Sequence, residues 1–397
     1  MLGDKRFLQA IRLQNFLSFG NNSPELELKS LNVFIGPNGS GKSNLIEAIS
    51  LLNACPLDLA KPIRDGGGVS EWLWKGSTSK VPPIAEIDAT IWYSPGKIPL
   101  RHKIAFTVVN QRFELVGETV EDKKPRSPGF FYYHHHRGHA FLYTVGDEKV
   151  VRQRELRRED LALDQSIIFQ RKEPDHYPEI TYLGNEYSKI KLYRELQFGR
   201  YTAPRLPQKT DLPGDFLLED ANNLVMVLND LEHRGMNRML LEKLQQFYGE
   251  FSHISTKIDG GTVQVFLHEK SLQQPIPATR LSDGTLRYLC LLAILCHPSP
   301  LPLICIEEPE IGLHPDIIPA IAELLVEASQ KTQLIVTTHS DALIDALSDV
   351  PEAVVVCEKP ENSTTMKRLQ KGELEAWLEQ YRLGELWRKG ELGGNRW

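Results

Sequence analysis

This 397-residue sequence lacks an excess of positive charge, a long apolar run, a heptad pattern and a disulfide-like cysteine set. Each absence excludes a class. The five cysteines, Cys55, Cys290, Cys296, Cys305 and Cys357, are odd in number, widely spaced and mostly set in apolar segments, so reduced buried thiols are expected rather than a disulfide framework. The longest apolar run, Tyr288 to Cys296, stops at His297-Pro298-Ser299-Pro300, far short of the roughly 20 residues that span a bilayer, and no membrane crossing is expected. Met1 to Phe16 carries Asp4, Lys5, Arg6 and Arg12, which interrupt any signal-peptide core, so a cytoplasmic location is expected. The net charge of -6 makes the surface as a whole repel a phosphate backbone, and any nucleic-acid binding would need a local basic patch. No sustained heptad predicts a long coiled-coil arm, and no solenoid-type repeat is visible.

With 41% hydrophobic residues, there is enough apolar material for one large domain or two intimately joined ones. Apolar positions through Phe7, Ile11, Leu13, Phe16 and Phe19, and then Leu31 to Ile35, predict strands feeding a loop. Leu45, Ile46, Ala48, Ile49, Leu51 and Leu52 recur at helical spacing behind it, and this helix should end near Cys55-Pro56. Stretches at 85–93, 102–109, 112–116, 130–133 and 139–145 read as an antiparallel layer. From Asp147 to Gln208 the chain turns charged and proline-bearing, which predicts a helical and loop insertion. Helices are expected at 217–231 and 239–247, and Ile258-Asp259-Gly260-Gly261-Thr262 reads as a hairpin turn. From Gly284 onward helix and strand alternate, the pattern of a parallel sheet with crossover helices. The expected class is α/β: residues 1–145 as an N-terminal lobe, 146–275 as the insertion, 276–368 as a C-terminal lobe and 369–397 as a C-terminal helix and tail.

Gly36-Pro37-Asn38-Gly39-Ser40-Gly41-Lys42-Ser43 matches the phosphate-loop pattern in full, between an apolar strand and a helix. Glycines let the backbone wrap round phosphates and aim its N–H groups at them, and the helix N-terminus, which includes Asn44, adds favourable partial charge. Lys42 is expected to reach the β- and γ-phosphates, and Ser43 to ligate Mg2+. The apolar strand Leu303 to Ile306 delivers Glu307 and Glu308 at its C-terminal end, where ligands collect in open α/β sheets. Glu307 is the candidate for the metal shell and Glu308 for orienting the attacking water. An aspartate is usual at the first of these positions, so the longer Glu307 is the feature that would weaken turnover.

Ser282 suits the cap of the apolar helix that follows, and an ordinary capped helix accounts for it alone. Its position just before the paired glutamates is where ABC-type ATPases carry the signature that meets the γ-phosphate held by the opposite subunit, which makes Ser282, Asp283 and Gly284 candidates for contact in trans. An acid beside a phosphate is unfavourable, so Asp283 must point away or sit beside a cation. Gln333 to Thr337 is a further strand, ending in Thr338-His339-Ser340, and His339 fits a histidine that touches the γ-phosphate; a solvent-facing helix cap explains the same residues taken alone.

These four motifs, in this order, resemble the ABC-type P-loop ATPases of the OLD and RecF/SMC-like branch, more specifically the AAA-domain ATPases. Gly36 to Ser43, Leu281 to Arg287, Ile306 to Pro315 and Thr337 to Ser340 carry the likeness, which extends to Leu13-Gln14-Asn15-Phe16-Leu17-Ser18-Phe19. The resemblance implies an ABC-type P-loop head with a parallel core sheet, an antiparallel β layer and a helical insertion. It also implies ATP and Mg2+ as cofactors, slow ATP hydrolysis, a homodimer formed on ATP binding, and a separate effector such as a Toprim-like nuclease, in DNA repair or phage defence. A competing expectation is an ATP-sensing scaffold with little hydrolysis. A transporter subunit is disfavoured by the long stretch between Ser43 and Ser282.

Lys189, Lys191, Arg194, Arg200 and Arg205, with Lys209, surround Tyr193, Phe198 and Tyr201, a composition that can grip nucleic acid but equally suits a solvated face. His134, His135, His136 and His139 lack acidic or cysteine companions and are not expected to hold a metal. Asp65 to Gly68 and Thr256 to Asp259 match guanine-nucleotide motifs only loosely and out of place, which leaves adenine favoured. The tail from Leu374 to Trp397 is expected to pack on the head or dock a partner.

Overall fold

The computed structural model describes residues 6–393, apart from 78, 97, 125–128, 137, 146–150 and 158–160. They form two compact units: one from the described residues of Met1–Ile190, Glu352–Gln370 and Gly390–Trp397, the other from Lys191–Pro351 and Lys371–Lys389.

The first unit holds an eight-stranded antiparallel sheet in the order Leu26–Glu27, Leu8–Gln14, Ala85–Ile91, Leu100–Val109, Arg112–Asp122, Tyr133–His136, His139–Val145 and Val151–Leu156. The period-2 alternation that announced it turns Ile87, Ala89 and Ile91, and Leu100, Ile104 and Phe106, into the core. His102 lies on the same buried face and is satisfied there, with Tyr187 OH at 3.1 Å from Nδ1 and Glu118 Oε1 at 3.0 Å from Nε2. Glu118 also accepts from Ser166 Oγ at 2.5 Å and Ile167 N at 2.9 Å, so a buried carboxylate is fully engaged. The strand Val151–Leu156 continues the layer past residue 145, where the sequence pattern ends it. Leu31–Ile35, buried throughout, pairs in parallel with Val354–Glu358, which pairs antiparallel with Thr365–Arg368. The helix Lys42–Ala54 follows and buries Leu45, Ile46, Ala48, Ile49, Leu51 and Leu52.

In the second unit Lys191–Tyr193, Leu303–Glu307 and Gln333–Thr337 form a parallel run, with Cys305 opposite both Leu192 and Ile335. Helices Asp283–Leu295, Ile318–Ser329 and Asp341–Ala346 accompany it as the alternating pattern requires. A smaller antiparallel sheet carries the expected hairpin, Phe251–Asp259 against Thr262–Glu269. The helix expected from Leu217 starts later, at Leu224–His233, because the buried Asn223 side chain accepts from Leu218 N and donates to the carbonyls of Pro213 and Phe216, tying the preceding segment into a loop. Helix Lys371–Leu378 buries none of its residues, whereas Leu383–Lys389 buries Leu383, Leu386 and Trp387. The tail residues Gly394 to Trp397 lie outside the described residues. Among the described residues no helix is long and apolar enough to cross a membrane.

Candidate functional site

The phosphate loop of the first unit is built from backbone conformations that only glycine takes cheaply. Gly36, Gly39 and Gly41 have φ of 145°, 78° and 100°. A Cβ at Gly36 would lie 2.2 Å from the Cys357 carbonyl oxygen, and one at Gly41 would lie 2.4 Å from Thr364 Oγ1 and 2.7 Å from Ser18 Oγ. Pro37, Asn38 and Gly39 face solvent in part or in full, while Ser40 is buried with no partner for its Oγ. Lys42 is buried, and its Nζ donates to the carbonyls of Gly36 at 2.8 Å and Pro37 at 3.1 Å, which keeps a cation within the loop. Ser43 is exposed at the first turn, and Asn44 Nδ2 donates to Ser18 Oγ at 2.7 Å. Thr364 Oγ1 stands 2.7 Å from Ser18 Oγ and 2.9 Å from the Ser40 carbonyl, bracing the loop from the far end of the sequence. Neither Ser18 nor Thr364 stands out as a loop residue in the sequence.

In the second unit, Glu307 and Thr337 are opposite each other at the ends of neighbouring parallel strands. The chain turns sharply after Glu307: Glu308 has φ of 47°, a left-handed conformation unusual for a side-chain-bearing residue, held by its N–H donating to the Thr337 carbonyl at 2.9 Å. This turn places Glu308 Oε1 3.6 Å from His339 Nε2, with both side chains about a third exposed. Glu310 completes the arrangement. Its Oε1 accepts from Thr338 Oγ1 at 2.5 Å and from the His339 N–H at 3.1 Å, its Oε2 is buried without a partner, and burial first of all pushes its pKa above the usual carboxylate range. The third glutamate of Glu307-Glu308-Pro309-Glu310 thus positions the histidine segment; it lies inside the Ile306 to Pro315 stretch that carries the likeness, where its sequence alone gives it no role.

Ser282 caps Asp283–Leu295 by accepting from Thr285 N at 3.0 Å. Asp283 has its cation: Arg205 pairs with it and donates to the carbonyls of Leu281 at 2.5 Å and Phe198 at 3.0 Å. Gly284 is tightly approached, since a Cβ there would meet the Gly312 carbonyl oxygen at 3.0 Å. Arg205 is therefore spent inside the fold. Arg194 Nε donates to Glu307 Oε1 at 3.0 Å, so a second member of the basic cluster serves the acid strand. Lys189 pairs with Glu186, Lys191 is half-buried on its strand, and Arg200 is exposed with its guanidinium 5.9 Å from the Tyr201 ring centre. The basic residues of the sequence do not share one role. Ser43 and Glu307 offer hard oxygen donors of the kind Mg2+ takes.

A glycine-built phosphate loop, a glutamate-tipped parallel strand and an α/β head are the parts of an ABC-type P-loop ATPase of the SMC and OLD kind. Residues 31–345 match the family described as "AAA domain, putative AbiEii toxin, Type IV TA system", and the chain belongs to that family. It is 30% identical over 97 residues to chromosome partition protein Smc of Mycolicibacterium paratuberculosis, covering 24% of this chain and 8% of that protein. It is 28% identical over 177 residues to Old nuclease of Escherichia phage P2, covering 39% of this chain and 28% of that protein. The chain thus spans 8% and 28% of the length of these two relatives. Among solved structures, an Smc head bound to the C-winged helix domain of ScpA superposes with a TM-score of 0.59 at 14% identity, over 92% of this chain and 99% of that one. An Smc head with an extended coiled coil, bound to the C-terminal domain of ScpA derived from Pyrococcus furiosus, gives 0.58 at 13% identity, over 94% and 99%. At such identities the likeness establishes the head fold.

Proposed function

We propose that the chain binds ATP with Mg2+ and hydrolyses it slowly as a dimer closed on two nucleotides, and that this cycle gates an effector or a DNA transaction of the repair or phage-defence type. The observation that carries the reading is the turn at Glu308, which spends backbone strain to hold a carboxylate 3.6 Å from His339 while Glu310 fixes the histidine's own N–H. In this reading the loop N–H groups and Lys42 bind the β- and γ-phosphates, and Glu308 orients the attacking water and accepts its proton. His339 contacts the γ-phosphate. Ser43 and Glu307 would hold Mg2+, which would supply charge neutralisation. Ser282, at the positive end of its helix and with its acid neighbour neutralised by Arg205, contacts the γ-phosphate of the other copy.

The Smc heads carry ScpA domains and one relative is a nuclease, which supports a separate effector, a Toprim-like nuclease included, as the recipient of the switch. A cytoplasmic setting suits such a cycle. Exposed Arg200 and Tyr201 are the members of the basic cluster best placed to meet nucleic acid. The Arg194–Glu307 pair favours a second reading, an ATP sensor with little turnover, because the guanidinium holds the carboxylate that the metal would need.

Sedimentation velocity with and without MgATP tests the dimer. Monomer should convert to dimer with MgATP, and Ser282→Arg should stay monomeric while still binding nucleotide. An ATP-induced dimer of the Ser282→Arg protein would remove the signature from the interface.

A further inference from the structure

The small antiparallel sheet of the second unit leaves one long edge open. Its strand Phe251–Asp259 is bonded to Thr262–Glu269 on one side, and among the described residues no strand lies on the other. The two strands meet at a two-residue turn, Gly260-Gly261, with φ of 53° and 84°, the type I′ geometry that makes Asp259 and Thr262 a hydrogen-bonded pair. Bonded and non-bonded pairs alternate along an antiparallel ladder, so Ser255 and Lys257 spend their backbone groups on the neighbouring strand, while Ile254, Thr256 and Ile258 aim theirs at the open edge. A groove of about 130 Å3 runs along that edge, lined among others by Ile254 and Thr256 and by Leu228, Leu240 and Leu244 of the helices Leu224–His233 and Asn237–Phe247, but by no residue of Thr262–Glu269. The start of the strand is closed, because Gln245 Nε2 donates to the Phe251 carbonyl at 3.2 Å. Its far end is open, and Ile258 there is 70% exposed. A long edge of this kind invites a further strand, and proteins ordinarily cover or blunt it.

We propose that this edge takes an extended segment of a partner protein as an added strand, one that alternates apolar side chains, which enter the groove, with acidic ones, which face outward. The free N–H and C=O groups at every second residue fix the extended conformation of the occupant. Side chains of an added strand alternate between the two faces in step with its neighbour, so those level with Ile254 and Thr256 meet the three leucines, and those level with Ser255 and Lys257 lie on the outer face. There the exposed Lys257 attracts an acid and repels a base, with Asp259 set beyond it at the turn. A second copy of this chain fits less well: paired antiparallel with itself about Ser255, the strand sets Lys257 against His253 and supplies an acid to neither. No residue of the phosphate loop or of the acid strand takes part, so this surface stands apart from the nucleotide reading.

Fluorescence anisotropy with two labelled peptides, one alternating glutamate with valine and the other lysine with valine, tests this on the full chain as wild type, Thr256→Pro and Lys257→Glu, with thermal melts to show that each is folded. The wild type should bind the glutamate peptide more tightly than the lysine peptide, although the chain as a whole carries a net charge of -6. Thr256→Pro deletes an N–H that faces the open edge and none that serves the existing ladder, so the fold should persist while peptide binding weakens about tenfold. Lys257→Glu should reverse the preference between the two peptides. Amide exchange on the wild type should slow at 254, 256 and 258 when the glutamate peptide is added, a readout that needs no variant to fold. Absence of binding by the wild type, a preference for the lysine peptide, or binding that neither Thr256→Pro nor Lys257→Glu alters would overturn the proposal. Self-association of the wild type that Thr256→Pro abolishes would assign the edge to a second copy and overturn it too.

Discussion

Replacing Glu310 by alanine removes the acceptor shared by Thr338 Oγ1 and the His339 N–H. Thr338 is fully buried and its hydroxyl also accepts from Ser340 N at 3.0 Å, so the lost acceptor unsettles a short relay rather than one bond. Each buried donor left unsatisfied costs roughly 1–3 kcal/mol. Deleting the carboxylate also relieves the burial of its charge, the cause of its raised pKa, and this offsets part of the loss. The net expectation is a destabilisation of about 2 kcal/mol for Glu310→Ala. Glu310→Gln keeps a carbonyl acceptor and carries no charge, so its stability at pH 7 should match or exceed that of the wild type. The pH dependence separates the two contributions. Because the native state holds the Glu310 proton more tightly than the unfolded chain, wild-type stability contributed by this group falls as pH rises from the ordinary carboxylate value to the raised one, and is level above it. Glu310→Gln lacks that decline. Urea denaturation of the three proteins across this pH range measures both quantities. A Glu310→Ala protein as stable as the wild type, or a wild-type minus Glu310→Gln difference that does not change with pH, would refute the reasoning.

Gly41→Ala places a Cβ 2.4 Å from Thr364 Oγ1 at φ of 100°, so a stability loss of about 1–3 kcal/mol from the left-handed backbone alone should accompany the loss of ATP binding, read by denaturation and calorimetry. Arg194→Gln should change stability by less than about 1 kcal/mol, because the pair is partly exposed, while lowering the Mg2+ concentration needed for half-maximal hydrolysis. An unchanged Mg2+ titration would mean that Arg194 and the metal do not compete for Glu307.

The parts legible in the sequence were the contiguous ones. Eight adjacent residues specify the phosphate loop, and the strand and helix on either side of it follow from an apolar run and a 3.6-residue period. The brace between Ser18 and Thr364 joins residues 346 apart, and no local pattern pairs the two. Val151–Leu156 escaped notice as a strand because Gln153, Arg154 and Glu155 are exposed, so its alternation is nearly all polar. Arg194 and Arg205 read as members of a basic surface because charge sign is visible in a sequence and pairing is not. Each turns out to serve an acid of the candidate site, Glu307 in one case and Asp283 in the other.

The most direct measurement is single-turnover ATP hydrolysis by Glu308→Gln beside the wild type, with ATP affinity measured on the same preparations. The account predicts that affinity is retained while the hydrolysis rate falls about 100-fold or more, the contribution of a positioned general base. Equal rates in the two proteins would contradict it.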